Sequence, residues 1–437
     1  MRITNSMMTN NILLSINKNR KAMSTYEQQL ATGKRIQKPS DDPIVAARAL
    51  KFRTNVSEIS QYQTNVKDAM SWISVTEQAI ANSTNVMKRV HELSVQGSSG
   101  TLTAKNREGI ISEVEQLKEQ IVSEGNVSYA GRYMFTGFQT NKSLIYPKDD
   151  TESFEITEQL QAENLETVDV VYGDQIHKAT RIRLGYDTMV ESAVPGGILG
   201  FNVVAMDSTS TAPATEAYAP SAVVPPALPT VHFLRDTGEL IFNEADTALI
   251  PANFDFMYQK DTFEKGDLRP DHYYDSTNLA TSDVFTKKEE SMDYQVSYSQ
   301  TLQVNVMGYD FVTADLVRDL DELINNTKDI NYDDTLTDEL KQDLLGGKFS
   351  AMIDKMDNHI QNNLNITAEI GGKVNRLELT LDRLAEDNLN FTSLLSDNED
   401  VDMAETLIKF SAQEVVYQAA LASSSKIIQP TLLDFLR

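Results

Sequence analysis

Apolar residues recur in alternating steps of four and three at both ends of this chain, and that rhythm constrains the fold most. Near the start, Ile12, Ile16, Asn19, Met23, Tyr26 and Leu30 fall on one narrow stripe of a helix. Near the end, Met403, Leu407, Phe410, Glu414, Tyr417, Leu421, Ser424, Ile428, Thr431 and Phe435 keep the same steps. A helix of about 30 residues with so thin a stripe cannot bury it alone. It needs the other end of the chain, or neighbouring subunits. The candidate assembly interface is therefore Ile12, Ile16, Asn19, Met23, Tyr26, Leu30, Met403, Leu407, Phe410, Tyr417, Leu421, Ile428 and Phe435. The polar seam residue Asn19 either fixes register at some cost in stability or lies half exposed in a looser bundle.

Inboard of these stripes the pattern stays helical. The first helix should stop near Gly33, and Pro39-Ser40-Asp41-Asp42-Pro43 reads as a loop. Asp42 is a natural N-cap with Pro43 at the first helical position. From Val45 to Met87 the 4–3 ladder continues, and a second stripe through Trp72, Val75, Ala79, Val86, Val90 and Leu93 widens the buried face. This helix should end at Gly97-Ser98-Ser99-Gly100. Thr103 then caps a third helix carrying Ile110, Val114, Leu117 and Ile121. In the last third, Ile353 to Phe391 form another ladder interrupted by Gly371-Gly372, read as a kink or a close backbone contact. Ser396-Asp397-Asn398-Glu399 fits a capping box opening the last helix.

Between the helical arms the period changes to two. Arg181 to Leu184 and Phe254 to Tyr258 alternate as strands, and Asp236-Thr237-Gly238 reads as a hairpin turn between Val231–Leu234 and Leu240–Phe242. Leu302, Val304 and Val306 suggest one more strand, and Val312, Leu316, Leu320 and Leu323 a short helix. Residues 208–230 hold five of the twelve prolines and read as linker. Residues 141–290 carry 26 acidic and 11 basic side chains, the composition of a solvated block that plugs into the helical frame. The expected fold is mainly α with a β-rich insert: a coiled-coil-like bundle of long helices built from both chain ends, plus a solvent-exposed β-rich middle domain. The expected division is 1–42 with 398–437 as a terminal coiled coil, 43–139 with 292–397 as a helical bundle with a small hairpin region, and 140–291 as the outer insert.

Chemistry is sparse. There is no cysteine, so thiolate catalysis, disulfides and cysteine-ligated metals are excluded. A net charge of −25 argues against nucleic acid as the main partner. His91-Glu92 begins a zinc-protease pattern, but its second histidine is replaced by Val95. The Gly-Lys pairs at 33, 347 and 372 lack the upstream glycine of a phosphate loop, since Gln28, Gln342 and Thr367 stand there. No catalytic, cofactor-binding or metal-binding residue stands out. The first 53 residues carry ten basic and three acidic side chains, including Lys18, Arg20 and Lys21, and suit either an acidic neighbour or simple solvation. No cleavable signal peptide and no membrane-length apolar run is legible.

Several runs then resemble flagellin-type axial proteins, and among them the bacterial flagellar hook–filament junction family. They are Ala31-Thr32-Gly33-Lys34-Arg35-Ile36, Pro39-Ser40-Asp41-Asp42-Pro43, Ala46-Ala47-Arg48-Ala49-Leu50 and Gly131-Arg132-Tyr133-Met134-Phe135-Thr136-Gly137. Glu399-Asp400-Val401-Asp402-Met403 and Gln429-Pro430-Thr431-Leu432-Leu433-Asp434-Phe435-Leu436 complete them. The resemblance covers about residues 1–138 and 293–437, and the insert only loosely. It implies a non-enzymatic, cofactor-free adaptor that is exported without a cleaved signal and assembles in the extracellular flagellum. The implied partners are the hook or a hook-associated protein on one side and flagellin or the next adaptor on the other, further copies in a ring, and an export chaperone. Neither nucleic acid nor membrane insertion is implied. The alternatives are a filament flagellin, or a flagellin-like scaffold whose insert binds a ligand or catalyses a reaction.

Overall fold

The computed structural model describes residues 5–100, 102–172, 175–190, 198, 201–206, 229–242, 244–332 and 336–428. Its contacts divide into two units. The first comprises 1–67, 295–300 and 378–437, and the second 68–294 and 301–377. The division falls at 67/68 and 377/378, inside two long helices. It leaves the β-rich insert within the second unit.

Helix α1 spans Asn5–Thr32 and ends where Gly33 takes a φ of +68°, a conformation that favours glycine. Helix α2 spans Pro43–Gly97, and Asp42 Oδ1 accepts from the backbone N–H groups of Ile44 and Val45. Helix α3 spans Ala104–Gly125, capped by the Thr103 side chain, which accepts from the Asn106 N–H. Both caps are where the spacing placed them. Two turns of helix follow much later, α4 (Pro270–Tyr273) and α5 (Gly308–Phe311). Helix α6 spans Ala314–Tyr332, α7 Asp338–Glu399 and α8 Met403–Ile428.

Two local expectations are corrected. Helix α7 runs unbroken through Gly371-Gly372, and a Cβ added at either glycine would meet nothing within 4 Å. These glycines therefore serve no close contact. Ser396–Glu399 does not open the last helix. It closes α7, and Asp402 caps α8 instead by accepting from the Ala404 and Glu405 N–H groups. The observed cap at Asp402 stands six residues after Ser396.

In the first unit, α1 and α8 pack side by side. They run antiparallel, since Gly33 and Val401 meet at one end while Gln413 Nε2 lies 3.5 Å from the Asn19 carbonyl at mid-length. The start of α2 lies beside the end of α7, with Phe52 and Phe391 ring centroids 6.5 Å apart.

In the second unit the core is helical on one side and aromatic on the other. Ile73, Ile80, Met87 and Val90 of α2 are buried with Ile111 and Val114 of α3, Leu320 of α6 and Leu345, Phe349 and Met356 of α7. Gly97 at the end of α2 admits the Phe349 ring, which would lie 2.5 Å from an added Cβ. The strands β1 (Ser128–Tyr129) and β2 (Arg132–Tyr133) form a short hairpin. Then follow β3 (Phe154–Gln161), β4 (Glu166–Tyr172), β5 (Gln175–Arg183), β6 (Asn202–Met206), β7 (Thr230–Leu234), β8 (Glu239–Phe242) and β9 (Asn253–Lys260). The short β10 (Asp275–Asn278) and β11 (Val284–Phe285) precede the hairpin of β12 (Asp293–Ser297) and β13 (Gln300–Gln303). The expected strand through Val306 thus stops at Gln303.

The larger sheets have orders β4-β5-β8-β7-β6 and β11-β10-β3-β9. All pairings in them are antiparallel except β6 with β7. The expected hairpin at 236–238 joins β7 to β8, with Gly238 at φ +66°. Phe233 and Phe256 meet edge to face at 5.2 Å and tie the two sheets. The linker reading of 208–230 lies almost entirely outside the described residues, as do Phe435 and the side chain of Ile428.

Candidate assembly site

Helix α1 presents the stripe its spacing announced. Ile12, Ile16, Asn19, Met23, Tyr26 and Leu30 are all half-buried, and most intervening residues are exposed. Helix α8 behaves differently. Its covered stripe is Thr406, Phe410, Gln413, Tyr417, Ala420 and Ser424, again in steps of four and three. Phe410 and Tyr417 were expected there. Met403, Leu407 and Leu421 were too, but they remain 49%, 55% and 42% exposed and lie off the stripe.

The reason is compositional. Helix α8 has four charged side chains in 26 residues and is apolar nearly all round, so apolar positions do not mark a face. The covered stripe mixes the small Thr406, Ala420 and Ser424 with the large Phe410, Gln413 and Tyr417. Ile408, Val415 and Val416 are exposed as well, so α8 offers α1 one stripe and leaves other apolar stripes open. Met7, Leu13 and Leu14 are the corresponding exposed apolar residues of α1.

The turns at the near ends of α1 and α8 are zipped together. Arg35 N–H donates to the Glu399 carbonyl at 2.6 Å, and Val401 N–H to the Gly33 carbonyl at 3.0 Å. Lys34 and Asp400 form an isolated antiparallel bridge. The Glu399 side chain is 3% exposed, takes Arg53 Nε at 3.0 Å and Arg53 Nη2, and lies 3.5 Å from Lys34 Nζ. Lys34 also reaches Asp400 at 2.6 Å, which raises the lysine's pKa and lowers the aspartate's, chiefly through that hydrogen bond. Asn398 Nδ2 donates to the Val45 carbonyl at 3.1 Å. None of these pairings was legible beforehand, because the partners lie more than 340 residues apart.

The second unit holds a buried ion cluster where the five-stranded sheet meets the helices. Arg181 and Arg183 of β5 face Glu166 of β4, Glu239 of β8, and Asp319 and Glu322 of α6. Lys355 and His359 of α7 reach Asp319 at 2.8 Å each, and Lys348 lies 3.6 Å from Glu322. Burial alone would raise the Asp319 carboxyl, but the His359 hydrogen bond and the charges of Arg183 and Lys355 hold it well below the usual range. Burial is likewise outweighed at Glu322, which Arg181, Arg183 and Lys355 hold at about 2. The insert is therefore bound into the helices by charge. The cluster has the character of a structural lock, since each of its carboxylates lies against at least one cation, while Arg181 Nε and Arg183 Nε keep no hydrogen-bond partner among the described residues.

Among the described residues no group of three or more His, Asp or Glu could hold a metal ion, and no helix is long and apolar enough to cross a membrane.

Residues 3–140 match the bacterial flagellin N-terminal helical region, and residues 353–436 the bacterial flagellin C-terminal helical region. Over 141 residues, 32% of the chain, it is 30% identical to flagellar hook-associated protein 3 of Escherichia coli strain K12. That match spans 44% of the relative's length. Over 429 residues it is 24% identical to a flagellin of Clostridium tyrobutyricum, covering 98% of this chain and 99% of that one. The flagellar junction protein FlgL of Legionella pneumophila aligns over 81% of this chain and 100% of its own at 11% identity, with a TM-score of 0.36. Matched at both terminal helical regions, the chain belongs to the bacterial flagellin family.

Proposed function

We propose that this chain is a structural adaptor of the bacterial flagellum, joining hook to filament through its terminal helices and performing no catalysis. The observation that carries the reading is α8. It is apolar on nearly every face, yet α1 covers one stripe of it. A helix apolar all round belongs inside a larger packing. Met403, Leu407, Ile408, Val415, Val416 and Leu421 then meet neighbouring subunits, while the stripe from Ile12 to Leu30 serves the pairing within the chain.

The similarity to hook-associated protein 3 over 141 residues supports the junction position. The partners in this reading are a hook-side protein, flagellin or a further adaptor, and copies of the chain in a ring, after export outside the cell with the help of a chaperone. The end-to-end alignment with a flagellin favours a second reading, a filament subunit.

Complementation of a strain lacking the protein tests the adaptor. Leu407→Asp or Leu421→Asp should leave secretion intact and abolish motility, with flagellin shed into the medium. Swimming at the wild-type rate by both variants would overturn the role of these faces. Long filaments formed by the purified chain alone would favour the filament subunit.

A further inference from the structure

We infer that Glu399 is a positioning residue that fixes the register in which α1 and α8 pair. The need for such a residue follows from the two helices themselves. The covered stripe of α1 repeats every seven residues, and so does that of α8, where Thr406, Gln413 and Ala420 are equivalent steps. With α8 apolar nearly all round, sliding one helix along the other by a heptad exchanges one set of similar contacts for another. The stripes choose a face and leave the axial position open.

The axial position is set at one end. The turn after α1 and the turn before α8 share the backbone bonds from Arg35 to Glu399 and from Val401 to Gly33, which admit one alignment. Glu399 gathers the groups that hold those turns. Its carboxylate takes two guanidinium hydrogens of Arg53 on α2 and faces Lys34 in the first turn, while the glutamate itself is the last residue of α7. One buried carboxylate thus joins both inboard helices to both turns. Buried polar groups are known to specify register where apolar contacts do not. For its consequence in assembly this inference rests on the adaptor reading, but register within one chain can be measured separately.

The absence of native cysteine makes that measurement direct. Asn19→Cys is combined in the full chain with Gln413→Cys, which reports the native register, or with Ala420→Cys, which reports a one-heptad slip. Each pair is treated with a short bismaleimide, alone and together with Glu399→Gln, Arg53→Gln, or both. The expected result is that either single change slows 19–413 cross-linking by at least about threefold and raises 19–420 cross-linking, with the double variant no worse than either single one. Arg53→Gln guards against misfolding, because that side chain is more than half exposed. Unchanged 19–413 cross-linking in both single variants would overturn the inference. So would effects that multiply in the double variant, or equal loss at both positions. If these yields follow expectation but the unmodified protein fails to seat on hook ends, the adaptor reading falls and the register role stands.

Discussion

Glu158 in β3 shows how one buried side chain sets the response of the second unit to pH. Its Oε2 accepts from the Gly185 N–H and the Tyr258 hydroxyl, each at 3.0 Å, and burial pushes its pKa from 4.5 up to about 7. Between those values the folded chain keeps a proton that the unfolded chain releases, so stability falls as pH rises through that window. Above it the penalty is constant. Asp267, raised to about 6 chiefly by burial, acts in the same direction. Glu158→Gln keeps an acceptor in place and removes the charge. Urea unfolding should show it more stable than the wild type at pH 8 by roughly 1–3 kcal/mol, with little difference at pH 4. An equal shift at both pH values would mean that the charge is not the cause. Asp319 and Glu322 work oppositely: their contribution is full above the usual carboxylate range and is lost as pH falls through their lowered folded values, about 2 for Glu322 and lower still for Asp319. Residues such as Asp42 and Thr103 were legible because a cap is decided within three positions of sequence. Glu399 was not, because its partners arrive through the closed fold.

At the scale of elements, the ion cluster and the glycines make opposite forecasts for changes that look mild on paper. Asp319→Ala leaves Arg183, Lys355 and His359 around an empty place, and should cost about 3–5 kcal/mol in chemical denaturation. Replacing residues 145–288 by a Gly/Ser linker removes Arg181 and Arg183 together and should yield an unstable helical remainder; a soluble, cooperatively melting product would contradict the lock. Gly97→Ala should destabilise by about 1–3 kcal/mol, because the Phe349 ring occupies the space of the methyl group. Gly371→Ala and Gly372→Ala should each stabilise α7 by roughly 0.5–1 kcal/mol, since both sites are open and helical. Thermal melts of the three variants check the contrast. Helices α1, α2 and α3 were readable from period and punctuation. The ion cluster was not, since Arg183 and Asp319 stand far apart and 64 acids offer no basis for choosing a partner. Which stripe of α8 faces α1 was not legible for a different reason: where nearly every face is apolar, hydrophobicity carries no phase.

At the scale of the whole molecule, the architecture of helical ends around a β-rich middle could be read from the change of period alone. The division into two units could not, because α2 and α7 continue through both boundaries without a break in pattern. Deleting residues 428–437 should leave secretion intact and weaken docking on the hook, measured as flagellin shed into the medium. Loss of secretion would instead place an export determinant at that end. The central claim is position: a chain with this paired-helix terminus and these open apolar faces sits between hook and filament. Electron microscopy of intact flagella, labelled with antibody against the insert, tests it most directly. The account predicts label confined to a narrow band at the hook–filament junction. Label distributed along the filament would contradict it and make the chain a filament subunit.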